Sequence, residues 1–132
     1  MKSGSEFVFH RAPRVLLIDD DPLFGGIVLR LAQAGNIILK HAKSLKALHG
    51  LDIKNSFDLI ITDFELENVT GIQLIKILES RNQALPTILI SSYSRILSRH
   101  LPLSIVYTLH KCEGPQRILY AALCLFNKIA KE

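Results

Sequence analysis

Val15-Leu16-Leu17-Ile18-Asp19-Asp20-Asp21-Pro22 runs from apolar residues through an acidic triplet to a proline. A run this short, branched and without polar alternation reads as a strand covered on both faces. The acids follow at its carboxyl end. Asp21-Pro22 then has the form of a helix start, with Asp21 as N-cap and Pro22 at the first helical position. The pattern recurs outward from this stretch. Leu59-Ile60-Ile61-Thr62 ends in Asp63, Ile88-Leu89-Ile90 ends in Ser91, and Ile105-Val106-Tyr107-Thr108-Leu109 is closely followed by Lys111. A further run, Ile37–Leu39, leads into Lys40-His41 and adds no obvious chemistry.

Helical patterns separate these runs. Phe24, Ile27, Val28 and Leu31 share one face as far as Ala34, where Gly35 ends the segment. Gly25-Gly26 in its first turns costs about 1 kcal/mol per residue, which packing must offset. Ser44 is placed to cap a short second helix carrying Leu45, Leu48 and Leu51, and Gly71 opens a third with Ile72, Leu74, Ile75 and Leu78. Residues 94–99 suit a short fourth helix and Pro115 starts a long fifth. The alternation predicts an α/β domain: a single doubly wound five-stranded parallel sheet of order 2-1-3-4-5 with five helices, flavodoxin-like in architecture. Ligands of such sheets sit beyond the carboxyl ends of the strands, at the switch point between the first and third. Those strands end in Asp19-Asp20 and in Asp63.

The bulk properties agree with one domain, residues 14–132, preceded by an extension, residues 1–13. Gly4-Ser5-Glu6-Phe7 looks like a cloning remnant, so the extension is given no functional weight. About half of the 132 residues are apolar, which argues against disorder. The longest apolar run, Ile118 to Phe126, is far short of the ~20 residues of a membrane span, and no signal peptide is visible. Cys112 and Cys124 lack any metal-ligand spacing and read as reduced thiols of a cytoplasmic protein. The net charge of +4 does not point to nucleic acid. Asp19, Asp20, Asp21, Asp63, Glu65 and Glu67 are concentrated in two loops while the basic residues are scattered singly.

Asp19, Asp20 and Asp63 are thus expected to be close neighbours. Two carboxylates ~4 Å apart repel by about 4 kcal/mol at an effective dielectric of 20, so the group needs a cation to stay ionised. An all-oxygen set suits Mg²⁺ or Mn²⁺. Lys111 adds a point charge and the Ser91 hydroxyl a hydrogen-bond donor for phosphoryl oxygens. Singly, each has a blander reading: a helix cap, a turn residue, a solvated lysine. It is the conjunction at four strand ends that points to metal-assisted phosphoryl transfer. His10, His41, His49, His100 and His110 show no ligand spacing and read as surface or satisfied side chains.

From Arg14 to Lys131 the chain resembles the receiver domain of two-component response regulators. The likeness rests on the segments 15–22, 58–63 with Gly71 following, 88–92 and 109–111 (Leu-His-Lys), in that order and spacing. It implies that Asp63 accepts a phosphoryl group from a phosphohistidine on a histidine kinase or histidine phosphotransfer protein. It also implies Mg²⁺ (or Mn²⁺) held by Asp20 and Asp63, by Asp19 through water and by the Glu65 backbone carbonyl. Ser91 and Lys111 would bind the phosphoryl oxygens, and Glu65 and Tyr93 would tune the lifetime of the phosphoryl group. A receiver of this kind is not a turnover enzyme; it catalyses only its own phosphorylation and dephosphorylation.

Departures from the family pattern accompany the match. Cys112 replaces the proline that usually follows the lysine, which predicts a trans Lys111–Cys112 peptide and an altered loop. Glu67 replaces another common proline, predicting a looser turn after Asp63. Thr108 holds the aromatic switch position, with Tyr107 directed to the opposite face of the strand. These leave open a receiver-like interaction module that works without phosphorylation. A haloacid-dehalogenase-like phosphohydrolase fits Asp19-Asp20-Asp21 formally but lacks the acidic metal motif after the lysine. A flavodoxin-like cofactor binder needs a phosphate-cradling loop where the acids stand. The expected output is docking to a downstream protein, or homodimerisation, through the fourth and fifth helices, with no membrane and no direct nucleic-acid partner. With the chain ending at Glu132, either a stand-alone receiver or a fragment of a longer protein is expected. The final helix, apolar on more than one face, is either well buried or part of that surface.

Overall fold

The computed structural model describes residues 11–92 and 101–131. The apolar runs form β1 (Arg14–Ile18), β2 (Ile38–Ala42), β3 (Leu59–Asp63), β4 (Thr87–Ser91) and β5 (Ile105–His110). All pair in parallel in the order β2-β1-β3-β4-β5, as the sequence predicts. The α-helices are α1 (Pro22–Ala34), α2 (Ile53–Ser56), α3 (Gly71–Ser80) and α4 (Pro115–Ala130). The described residues therefore hold four α-helices rather than five. The helix expected at 94–99 lies outside them, as does Tyr93, and α4 is the one expected as the fifth.

Alternation along the strands divides the core between the two faces of the sheet. Val15, Leu17, Leu59, Ile61, Ile88 and Ile90 face α1 and α4, packing against Val28, Ala32, Ile118 and Leu125. Leu16, Ile18 and Ile60 face the other way, toward Leu48, Ile53, Leu74 and Leu78. Both faces of the central strands are thus covered, which is why β1, β3 and β4 read as unbroken apolar runs. The apolar excess of α4 is absorbed here: Ile118, Leu119, Ala121, Ala122, Leu125 and Phe126 are all buried. Among the described residues no helix is long and apolar enough to cross a membrane.

Two expected elements differ. The second strand is displaced from Ile37–Leu39 to Ile38–Ala42, which brings His41 inside the sheet. The second helix is a 3₁₀ turn over Lys46–Leu48 followed by the single-turn α2. Leu45 rather than Ser44 stands at the cap position of this turn, although Ser44 Oγ accepts from Ala47 N at 3.2 Å. Leu45, Leu48 and Leu51 recur every third residue, a spacing that suits three residues per turn as well as an α-helix. The turn ends at Leu48, and Gly50 just beyond it takes φ +81°, a conformation open to glycine. The other caps form as read: Asp21 Oδ1 accepts from Leu23 N at 3.0 Å and Phe24 N at 3.3 Å. At α3 a reciprocal cap joins Thr70 and Gln73.

At the amino end of the sheet, Asp58 anchors the chain before β1. Arg11 grips it with two bonds of 2.6 and 2.8 Å, and Arg14 N donates to it at 2.8 Å. Arg11 also lies 5.4 Å from the centre of the Phe126 ring. Burial pushes the Asp58 carboxyl up, but the hydrogen bonds from Arg11 and Arg14 outweigh it and hold the pKa down at about 2. A depressed carboxyl stabilises the fold above its ordinary pKa and loses that contribution as pH falls through the folded value. Asp58→Asn is expected to lower the melting temperature at neutral pH, with the deficit closing between about pH 4 and pH 2. Thermal melts of both proteins across that range test it.

Candidate functional site

The register decides which side chains meet. Ile18 pairs with Thr62 and Ile90 with Asp63, so β1, β3 and β4 end level with one another. Asp19 leaves β1 beside Asp63, Ser91 closes β4, and Lys111 follows β5, whose last residue, His110, pairs with Ser91. The predicted residues therefore converge on one end of the sheet. Asp19 is fully buried, and Asp63 and Ser91 are nearly so, at 6% and 1% exposure. Asp20 is exposed at the rim, yet carboxylate oxygens of Asp19, Asp20 and Asp63 lie within 4.8 Å of one another.

Lys111 supplies the positive charge inside this cluster. Its Nζ lies 2.8 Å from Asp19 Oδ2, 3.4 Å from Asp63 Oδ2 and 4.0 Å from Asp21 Oδ2. The ammonium also stands 4.5 Å from the centre of the Phe24 ring, a cation–π contact from the first turn of α1. Burial pulls the Lys111 pKa down, but Asp19 and Asp63 together raise it above the ordinary lysine value. Asp63 shows the opposite balance. Burial and the neighbouring Asp19 charge raise its pKa, and Lys111 with the Glu65 N–H only partly offset them.

The donor set fits a hard divalent cation. Asp19 Oδ1 accepts from Asp21 N at 2.9 Å, and its buried Oδ2 is paired with the Lys111 ammonium at 2.8 Å. Three carboxylates within 4.8 Å of one another, with a single ammonium among them, suit an oxygen-seeking ion such as Mg²⁺. The loop after Asp63 supports the cluster. Glu65 N donates to Asp63 Oδ1 at 3.4 Å, Glu65 bridges Thr70, and Gly71 N donates to Phe64 O at 2.7 Å. The turn that carries Glu67 lies between the bridged residues Glu65 and Thr70. Gly71 is required here: a Cβ would collide with the carbonyl oxygen of Asp63.

The Lys111 loop also takes a form of its own. The Lys111–Cys112 peptide is trans, as expected, since the described residues contain no cis bond. Lys111–Glu113 forms a 3₁₀ turn. His110 Nδ1 accepts from Cys112 N at 3.1 Å, and Glu113 Oε2 accepts from His110 N at 2.9 Å. This His110–Glu113 exchange holds the turn without the proline. Thr108 is exposed, and Tyr107 lies on the α4 side, where Lys128 Nζ donates to its hydroxyl at 3.3 Å.

Two neighbours of the site escape the sequence reading. Phe24 reads as core, yet its ring backs Lys111. His41, on the edge strand set aside above, donates to the backbone carbonyl of Asp19 at 2.6 Å. The available signal was Gly25, a glycine inside an amphipathic helix, where a bulky neighbour requires the missing Cβ.

The sequence pattern of the response regulator receiver domain matches residues 15–123, and the chain belongs to that family. It is 27% identical over 88 residues to the transcriptional regulatory protein GlrR of Escherichia coli (strain K12). That match covers 66% of this chain and only 20% of GlrR, so the chain spans about a fifth of the curated relative. A CheY-like receiver domain protein from Methanospirillum hungatei JF-1 superposes with a TM-score of 0.77 at 18% identity, covering 91% of this chain and 98% of that one. The Francisella response regulator 1452 receiver domain gives 0.75 at 23%, covering 89% and 98%. TrrA of Thermotoga maritima, solved in complex with Mg²⁺-BeF, gives 0.68 at 18%, covering 84% and 98%.

The raised Asp63 pKa makes a stability statement. A carboxyl whose folded pKa is raised favours the fold while protonated and weighs against it as pH rises through the folded value. Without divalent cations, Asp63→Asn should therefore melt higher than the wild type at neutral pH. The advantage should vanish below about pH 4, where the acid is protonated in both states. An equal or lower melting temperature at neutral pH would contradict the crowding described here.

Proposed function

We propose that this domain is a phosphoacceptor of a two-component phosphorelay. Asp63 takes a phosphoryl group from a phosphohistidine on a histidine kinase or histidine phosphotransfer protein. The observation that carries the reading is the Lys111 ammonium, 2.8 Å from Asp19 and 3.4 Å from Asp63, inside the carboxylate cluster at the strand ends. An Asp63 carboxylate oxygen attacks phosphorus, the O–P bond forms and the N–P bond breaks. The imidazole of the donor leaves with the bonding pair and takes up a proton. Asp19, Asp20, Asp63 and the Glu65 carbonyl would hold Mg²⁺ or Mn²⁺, which supplies neutralisation of the developing phosphoryl charge when bound. Lys111 exchanges carboxylate partners for phosphoryl oxygens, and the Ser91 hydroxyl donates to another. The complex of TrrA with Mg²⁺-BeF supports this assignment by analogy of fold.

The domain thus carries a signal rather than turning over a substrate, and works in the cytoplasm. Its output passes by docking to a downstream protein or by homodimerisation. One observation favours a second reading, a receiver-like interaction module that works without phosphorylation. The switch position is an exposed threonine, and the adjacent Tyr107 is held on the α4 side by Lys128.

Intact-mass measurement after incubation with acetyl phosphate and Mg²⁺ separates the two. The wild type should gain one phosphoryl group and Asp63→Asn none. A wild type that gains none, and shows no spectral change with fluoroberyllate, would leave the interaction module as the function.

A further inference from the structure

We infer that His41 is a positioning residue for the acidic cluster, its ring fixing the Asp19 main chain and so setting the affinity for a divalent cation. The inference rests on the metal-binding part of the proposal above. Strand β2 ends at Ala42, whose carbonyl accepts from Asp19 N at 3.0 Å. In a continued parallel ladder the Asp19 carbonyl would accept a backbone N–H from beyond Ala42. The His41 imidazole donates to it instead, at 2.6 Å, and the donor is Nε2–H because a carbonyl oxygen can only accept. Asp19 is therefore tied to β2 through both its peptide groups. What remains to be oriented is its carboxylate, which Asp21 N and Lys111 hold.

Helix α1 fixes the ring from the other side. A Cβ on Gly25 would fall within the van der Waals envelope of the imidazole, against its Cε1, Nδ1 and Nε2. The ring is sandwiched between a helix that gives up a side chain for it and a carbonyl that accepts its N–H. Gly26, beside it, would meet nothing within 4 Å on gaining a Cβ. The glycine that helical preference disfavours at position 25 is thus accounted for by His41. A buried carboxylate presented by a rigid backbone binds a cation without first being ordered, which is how partners behind the ligands act on metal affinity.

Titration calorimetry with Mg²⁺ alone, at a temperature where every variant is folded, tests the role. His41→Leu keeps an apolar side chain of useful size but no donor, and should weaken Mg²⁺ binding about tenfold. His41→Gln carries a donor of similar reach and should recover most of that loss; a purely space-filling role predicts no such recovery. Gly25→Ala should weaken binding in the wild-type background, yet change nothing further once His41 is alanine, because the methyl then has room. Mg²⁺ binding by His41→Leu within twofold of the wild type would overturn the role of His41 alone. Absence of any Mg²⁺ uptake by the wild type would overturn the metal reading, and this role with it.

Discussion

The crowding of carboxylates at the carboxyl end of the sheet is the constraint around which the rest of the molecule is arranged. Register alone brings Asp19 and Asp63 together, because β1 and β3 are adjacent and end level. Neither charge is well solvated, since both side chains are largely buried. At an effective dielectric of 20, an ammonium ~3 Å from a carboxylate is attracted by about 5 kcal/mol before desolvation is counted. Lys111 is thus the natural balance for a cluster whose members would otherwise protonate, and its raised pKa and the raised pKa of Asp63 record the same crowding from both sides. The surrounding scaffold holds charges in place that would otherwise separate. α1 contributes the Asp21 cap and the Phe24 ring, and the loop before α3 is closed by the Glu65–Thr70 bridge.

Much of this was legible because strands buried on both faces leave an unmistakable run of branched apolar residues. Where such a run stops, the next polar residue is at a sheet end by necessity, so Asp19, Asp63 and Ser91 could be placed without coordinates. What stayed hidden depends on geometry that periodicity does not carry. The second helix differs because a three-residue spacing of leucines serves a 3₁₀ turn equally well. The Lys111 turn was expected to alter at Cys112, but the exchange between His110 and Glu113 that stabilises it needs the local fold to be seen. His41 was set aside because its partner lies 22 residues away along the chain, on the neighbouring strand. Nothing in the spacing of an edge-strand histidine reveals a carbonyl beyond the end of the ladder.

Gly25 and Gly71 play matching parts on the two faces of the sheet. Each starts or nearly starts a helix, each is buried, and each would collide with a group of the site if it bore a Cβ. Gly71 lets the amino end of α3 approach the Asp63 carbonyl, while Gly25 lets α1 close on the ring that holds the Asp19 carbonyl. The two carboxylates that crowd one another are therefore fixed at the backbone from opposite faces of the sheet, by helices that omit a side chain at the point of contact. Lys111 is different in kind. It reaches in on a flexible stem from a short turn and shares its charge among Asp19, Asp63 and Asp21. The 3₁₀ turn that carries Lys111 runs through Gly114 into Pro115, where α4 begins.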